Sequence, residues 1–470
     1  MNKKTWVVIV VLILLLCIGS GVVLFYGLKN LQEVRNTEIP TPAGTQTTLD
    51  GIRTFADWTK EEVFQEVPIM QAENAKIGDI LDYGADNFIA DVNYTEFSDY
   101  QDYLQLLETA GFEKFADNGK EGLNRTVYTA NYARDDLTLS VTYVTTSKKT
   151  YITACDDQPL SEHLLEQKEW KADNIVGAKT KVHMLDMYEA GNSFVIQLKN
   201  GHFILNDGGI GEDLPYLIDY IEALTPEGEK PIVEAWIFSH THSDHAGAFC
   251  EIVSNEEYAD RISVEGIYYN MPSEETGSKF GTEQYMTAKQ LMLAARLWKT
   301  SEGKAPKVYR PVTGQRYYFS DIEIEIILSQ DQMLYSQHLY DFNDTSTWCM
   351  YHIEGQKFLL CGDADLGSIQ QVMRIYDKSY FEVDIFTVFH HGINVYDTFT
   401  DFVTYKTALY PAKETKSQST GANAMRVEEN NYLKSRALEA YAWGDGPKVM
   451  TFPYRVGQME LLPPTQFDKK

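Results

Sequence analysis

Ser239-His240-Thr241-His242-Ser243-Asp244-His245-Ala246-Gly247 closes a short apolar run that begins at Ile232. Four metal-capable side chains fall within six positions, and three of the chain's ten histidines are among them, a concentration that an incidental His-rich surface loop does not explain. Imidazole is the usual neutral nitrogen donor to a divalent ion, and Asp adds the charge that holds it. Extended backbone puts His240 and His242 on one side of the chain, two residues apart. A helix that starts near Asp244 turns Asp244 and His245 toward a neighbouring point. That pattern suits two ions better than one.

Two later stretches repeat the placement of ligand types at a strand end. Phe358-Leu359-Leu360-Cys361-Gly362-Asp363-Ala364-Asp365 is an apolar strand running into an acidic turn. A carboxylate at such a point can bridge two ions, and Gly362 permits close backbone approach. Val383 to Phe389 is a further apolar strand, followed by His390-His391-Gly392. Alone, a Gly-Asp pair is usually an ordinary turn and a His pair usually packing; their shared position gives them weight. Cys361, beside Asp363, reads as a strand filler. The five cysteines show no CxxC or similar spacing, so neither a disulfide framework nor a thiolate metal site is expected.

Outward from these motifs the chain alternates strands and helices. Phe194–Leu198 and His202–Leu205 form a predicted hairpin across Asn200-Gly201. Ile322–Leu328, Trp348–Ile353 and Phe358–Leu360 are further strands, and Leu214–Leu224 and Gln284–Trp298 are helical stretches. Both sheet faces then need cover, which predicts a layered α/β domain over 178–470. Upstream, 55–160 reads as a small α+β module. Thr95 is the expected N-cap of a helix carrying Phe97, Tyr100, Leu104 and Leu107, with Gly111 at its end; Leu137–Tyr143 and Thr150–Ala154 form a hairpin. Its many tyrosines are expected in the core rather than on a carbohydrate-binding face.

Trp6 to Leu28 carries no charge and matches the ~20 residues that cross a bilayer core. It exceeds the ~7–15-residue apolar region of a cleaved signal peptide. Residues 1–28 are therefore expected to be a cytoplasmic tip and a single-pass transmembrane anchor. Lys3 and Lys4 place the N-terminus in the cytoplasm and the C-terminal body outside the cell. Residues 29–54, with the Thr- and Pro-rich 36–49, form a linker. Of 470 residues, 68 are Asp or Glu and 41 Lys or Arg, a formal net charge of −27. That balance argues against general nucleic-acid binding, which relies on Lys and Arg to neutralise phosphates.

The order HTHSDH, GD, HHG resembles the metallo-β-lactamase superfamily, and within it the branch of the ComEC hydrolase domains and the teichoic-acid phosphorylcholine esterases. The stretch HMLDMYEAGNSFVIQLKNGHFILNDGG resembles that branch's first hairpin, ending in a structural Asp, here Asp207; NDTSTWCMYHIEGQKFLLCGD places Asn343 and Ser346 where the branch carries an Asn/Ser pair. The resemblance implies an αββα sandwich with the site at one sheet edge and two divalent ions, zinc or, in some relatives, manganese. It implies that His240 and His242 bind the first ion, that Asp244 and His245 bind the second, and that Asp363 bridges. One of His390 and His391 completes the second ion's ligand set; His391 is taken as the ligand and His390 as the group free to meet the substrate or leaving oxygen. Many members have a further ligand His between HxHxDH and the bridging Asp. His338 is the candidate here, with water as the alternative, while His352 sits mid-strand and reads as structural.

The function this implies is a membrane-anchored, extracytoplasmic metal-dependent phosphodiesterase acting on an envelope polymer or its phospho-substituent. Two ions ~3.5–4 Å apart would hold a water and lower its pKa. Asp244 would orient the resulting hydroxide and His390 would assist the leaving group. The same fold hosts nucleases of the competence type, β-lactamases and lactonases, and a non-catalytic sensor or scaffold that kept the fold is a further alternative.

Overall fold

The computed structural model describes residues 65–465, except 83–86, 119–125, 136, 156–177, 189–190, 254, 272–289, 292–293, 296, 331–341 and 413–425. The expected anchor (1–28), the linker (29–54), His338 and most of the predicted helix Gln284–Trp298 lie outside the described residues. Among the described residues no helix is long and apolar enough to cross a membrane.

The upstream region folds as β1 (Lys76–Asp82), β2 (Asn87–Asn93), α1 (Phe97–Thr109), β3 (Glu113–Asp117), β4 (Val127–Arg134), β5 (Leu137–Val144) and β6 (Lys149–Cys155). These strands make one antiparallel sheet in the order β1-β2-β6-β5-β4-β3. The predicted hairpin is present, with Val144 opposite Lys149. Tyr100, Tyr103 and Leu107 of α1 are buried against Tyr132, Leu139, Val141 and Ile152, so these tyrosines are core. The expected N-cap is corrected by one position. Glu96 caps α1 in a reciprocal box with Asp99, whereas Thr95 is fully buried and shares a 3.0 Å hydrogen bond with the Thr150 hydroxyl. A buried hydroxyl needs a partner, and the sheet supplies one that a solvent-facing cap position would not.

Two further sheets face each other. The first contains β7 (Lys181–Met184), β8 (Phe194–Gln197), β9 (Phe203–Asn206), β10 (Ile232–Ile237), β11 (Ser263–Val264), β12 (Gly266–Tyr268), β13 (Lys307–Tyr309), and the late strands β21 (Lys448–Thr451) and β22 (Glu460–Leu461). Its order is β13-β12-β10-β9-β8-β7-β21-β22, with β11 also on β10. The second runs β14 (Arg316–Phe319), β15 (Ile322–Leu328), β16 (Trp348–Ile353), β17 (Gln356–Leu360), β18 (Ile385–Thr387), β19 (Thr407–Tyr410), β20 (Glu439–Ala442) in chain order. Phe194 meets Phe358 edge to face across the gap (centroids 5.7 Å), and the Tyr351 hydroxyl donates to Asn206 Oδ1 at 3.0 Å.

Helices cover the outer faces. α2 (Leu214–Ala223) and α3 (Ser243–Ile252) bury Leu217, Ile221 and Phe249 in the core shared with Trp236 and Phe238. Each such apolar side chain removed from water contributes about 1.5–3 kcal/mol. α4 (Glu256–Arg261) follows α3, and α5 (Leu366–Ile375) packs Ile369, Val372 and Ile375 on Trp348, Met350 and Leu359. α6 (Asp397–Phe402) and α7 (Val427–Arg436) add Phe399 and Leu433 to that core.

β9 and β10 are parallel neighbours, as are β17, β18 and β19, so each group delivers its C-terminal ends to one edge. Asp207 follows β9, the HTHSDH stretch follows β10, Asp363 follows β17, and His390 and His391 follow β18. The predicted strand Val383–Phe389 is shorter than expected. β18 ends at Thr387, and Phe389–Gly392 wind into a 3-10 turn with His390 and His391 both left-handed (φ 46° and 55°). Two successive non-glycine residues in that region are costly, and such strain persists only where the surroundings hold it.

Candidate metal centre

Asp207 organises the site from beneath. Its carboxylate accepts from Ser239 N (2.7 Å), Ser239 Oγ (2.8 Å), Asn192 Nδ2 (2.9 Å) and His245 Nδ1 (2.9 Å). Asp207 is fully buried, so these donors replace water at a charge that would otherwise be expensive to bury. α3 begins at Ser243, one residue before the start expected near Asp244, and places His245 in its first turn, fully buried.

Gly362 brings the second sheet up to this loop. A Cβ there would sit 2.6 Å from the Ser239 Cβ, and the residue is left-handed (φ 54°), so only glycine fits. Asp363 follows, buried, with its amide donating to Ser346 Oγ at 3.2 Å. His391 Nδ1 donates to the Pro411 carbonyl at 2.5 Å. Its Nε2 then lies 3.2 Å from Asp244 Oδ2 and 3.5 Å from Asp363 Oδ2. Likewise, His245 Nε2 lies 3.1 Å from Asp363 Oδ1 and 4.0 Å from Asp244 Oδ2. Asp244, His245, Asp363 and His391 each offer one ligand atom, and these atoms all lie within 4.8 Å of one another.

This arrangement requires a positive charge at its middle. With Nδ1 committed as a donor, a neutral imidazole presents a lone pair at Nε2, and a carboxylate can only accept. Lone pairs from His245 and His391 thus face lone pairs from Asp244 and Asp363. His245 Nε2 is buried without a hydrogen-bond partner among the described residues. Either a proton or a cation must sit between them. The proton alternative is visible in the electrostatics. Burial opposes an imidazolium at His245, yet Asp363, Asp207 and Asp244 outweigh it and hold its pKa well above the ordinary value. Burial also opposes charge on Asp363 and Asp244, but His245 and His391 keep both carboxyls well below the usual range. Imidazole nitrogens backed by a carboxylate and by a carbonyl, with carboxylate oxygens opposite, are a donor set suited to a divalent ion.

His240 and His242 form the adjoining half. His240 Nε2 lies 3.1 Å from His242 Nδ1, and the His240 and His245 rings are 4.1 Å apart between centroids. Burial holds His240 well below the ordinary histidine pKa, so it is a neutral imidazole with one donor and one acceptor nitrogen. Ser239 Oγ contacts His240 Nδ1 at 3.1 Å. His338, expected to complete this half, lies outside the described residues. His390 stands at the open side, about one-fifth exposed, with Nε2 3.6 Å from Asp363 Oδ2. Asn343 Nδ2 lies 3.5 Å from His390 Nδ1. His352 is a member of β16 and bonds Glu325 at 3.3 Å, away from this group.

Cys361 is fully buried, and burial pushes its thiol up, in keeping with a filler. The roles of Ser239 and Pro411 were not anticipated. Ser239 directly precedes HTHSDH, a usable signal; Pro411 supplies only a backbone carbonyl, which leaves no trace in residue type. A separate cavity of about 560 Å³, lined by His202, Glu234, Tyr268, Lys307, Tyr309 and Arg316, opens at the opposite ends of β10 and β12 and shares no residue with the centre.

A family model described as the metallo-beta-lactamase superfamily matches residues 188–395. No curated protein matches this chain significantly. Among solved structures, a Cronobacter sakazakii metallo-beta-lactamase with a HARLDQ motif is 16% identical, with a TM-score of 0.28, covering 47% of this chain and 78% of that one. The Zn2+-bound PqqB of Methylobacterium extorquens is 9% identical, with a TM-score of 0.32, covering 55% of this chain and 86% of that one. The matched span holds all seven described ligand-type side chains of the centre, and residues 188–395 of this chain are a metallo-beta-lactamase superfamily domain.

Proposed function

We propose that this chain is a membrane-anchored, extracytoplasmic metal-dependent hydrolase that cleaves phosphodiesters of an envelope polymer or its phospho-substituent. The observation that carries the metal is the pair of imidazoles whose Nδ1 protons are committed to Asp207 and Pro411 while both Nε2 atoms face acceptor-only carboxylates. Divalent ions bound there would supply Lewis acidity and lower the pKa of a coordinated water. Zinc suits the mixed nitrogen and oxygen donors, and manganese is the alternative. His240 and His242 would serve one ion, Asp244, His245 and His391 the other, with Asp363 between them.

The chain's own residues then have separable tasks. Asp244, about one-quarter exposed, accepts a hydrogen bond from the attacking water and orients it. Asn343 donates to His390 Nδ1, which leaves the proton of a neutral His390 on Nε2, 3.6 Å from Asp363 Oδ2 beside the cage. From there His390 can donate to the leaving oxygen. Phosphodiester rather than amide or lactone chemistry rests on the branch resemblance and on the uncharged run Trp6–Leu28, which is expected to anchor the chain in a membrane.

Metal analysis of purified protein, with assays on bis-p-nitrophenyl phosphate, phosphorylcholine esters and nitrocefin, tests the reading. Close to two ions per chain and hydrolysis of the phosphodiesters are expected. Hydrolysis of nitrocefin alone would defeat the phosphodiester assignment, and a chain that binds no metal would be a scaffold. Protease accessibility of the body on intact cells tests its location.

A further inference from the structure

The geometry points to Arg426 as an anion-binding residue at the rim of the centre, which recognises a second negatively charged group on the substrate. This inference rests on the hydrolase reading and adds that the substrate is a polyanion, with a neighbouring phosphate or carboxylate beside the bond that is cut. Two tethers place Arg426. The Asn430 amide Nδ2 bridges two carbonyls, that of Gly392 (2.8 Å), next to His391, and that of Arg426 (2.7 Å). The Arg426 guanidinium lies 4.5 Å from the Tyr396 ring centroid, and the Tyr396 hydroxyl donates to Asp365, two residues beyond Asp363. The arginine is thus held between the turn that carries His390 and His391 and the turn that carries Asp363.

Its chemistry fits an anion. No carboxylate among the described residues pairs with Arg426, in a chain where acids outnumber bases 68 to 41. The cation–π contact with Tyr396 restrains the guanidinium, whose N–H donors can make a bidentate contact with phosphate or carboxylate. The segment between His391 and Tyr396 holds a second unused donor. Asn394 is only 8% exposed, and its Nδ2 has no partner among the described residues. A buried donor of this kind needs an acceptor.

The test compares glycerol 3-phosphate with glycerol 1,3-bisphosphate as probes, by calorimetric titration of the metal-loaded full chain. Wild type should bind the bisphosphate more tightly than the monophosphate, and Arg426→Ala should reduce that preference by about tenfold, the order of one charge-assisted hydrogen bond. Arg426→Lys should restore part of it. Thermal midpoint and metal content of both variants are read alongside, to separate recognition from misfolding. An unchanged ratio in Arg426→Ala, or an equal loss for both probes, overturns the proposal. Because the readout is binding, it decides the arginine even if wild type hydrolyses no phosphodiester, a result that would instead count against the proposed reaction.

Discussion

The two halves of the histidine cage are supported differently. His245 and His391 have their distal nitrogens tied down, one by the buried Asp207 carboxylate and one by the Pro411 carbonyl, and both aim Nε2 at carboxylates. His240 and His242 instead face each other at 3.1 Å, and only the Ser239 hydroxyl backs His240. The first half is preorganised and charged; in the second, burial keeps His240 uncharged, and fewer partners orient the rings. A hydrogen-bond acceptor on the far ring nitrogen raises ligand basicity and fixes ring orientation, so the Asp244/His245/Asp363/His391 half should fill first and bind more tightly. The cost of that preorganisation is competition with a proton, since the same carboxylates that would hold a cation hold His245 protonated without one.

Removing Asp363, proposed above to lie between the two ions, should have the largest effect. Asp363→Ala should cost roughly 10³-fold in hydrolysis and most of the tightly bound metal. Circular dichroism should still show a folded chain, because β17 and α5 keep their apolar contacts. Near-normal metal content in this variant would show that the two halves do not share Asp363.

Asp207→Asn separates the halves. It keeps the shape but turns an amide N–H2 toward donors, so His245 loses its acceptor. Metal affinity of the tighter site should fall about 10–100-fold, with a smaller change at the His240/His242 half. Equal loss at both sites, measured by chelator competition, would remove the distinction.

Much of this site was legible in the chain because its ligands sit at strand ends, where residue type and strand pattern coincide. HTHSDH after the strand Ile232–Ile237, Asp363 after Leu360 and His390-His391 after Val388 converge within a few ångströms. What sequence could not show was support from backbone atoms and non-adjacent elements. Pro411 acts through its carbonyl, 20 residues after His391. Thr95 read as a cap because hydroxyl residues favour that position, and a cross-strand partner 55 residues away claimed it instead. The strand through Phe389 ended early because Gly392 and the left-handed pair at 390–391 bend the chain toward the centre, a tertiary demand that apolar patterning does not encode.

Proton competition gives the next effect. His245 has a raised pKa in the metal-free protein, so an ion entering that half must displace a proton. Affinity should keep rising with pH past about 7 instead of levelling near the ordinary histidine value of roughly 6.5. Titration in buffers of different ionisation enthalpy should show proton release for the tighter ion; His240, held low, should release none. The stability of the metal-free chain follows the same signs. The His245 contribution is full below about pH 6.5 and is lost as pH rises through its elevated folded pKa. The contributions of Asp363 and Asp244, whose folded pKa values are depressed, are present above about pH 4 and are lost as pH falls. A metal-free thermal midpoint that climbs from pH 6 to 9 would contradict this.

The smallest effect is the most discriminating, because one hydroxyl touches both halves. Ser239 Oγ donates to Asp207 Oδ2 at 2.8 Å and lies 3.1 Å from His240 Nδ1 and 3.2 Å from His245 Nδ1. In Ser239→Ala, His245 keeps its 2.9 Å bond to Asp207, whereas His240 Nδ1 is left with no protein partner among the described residues. The His240 tautomer is then free to reverse, which places the proton on the nitrogen that faces His242. The weaker ion should lose about two- to fivefold in affinity, the worth of one neutral hydrogen bond, while the tighter ion changes little. Metal titration with two resolved affinities measures this directly. If the tighter ion is the one that weakens, Ser239 serves Asp207 and His245 rather than His240, and the two halves are supported as a single unit.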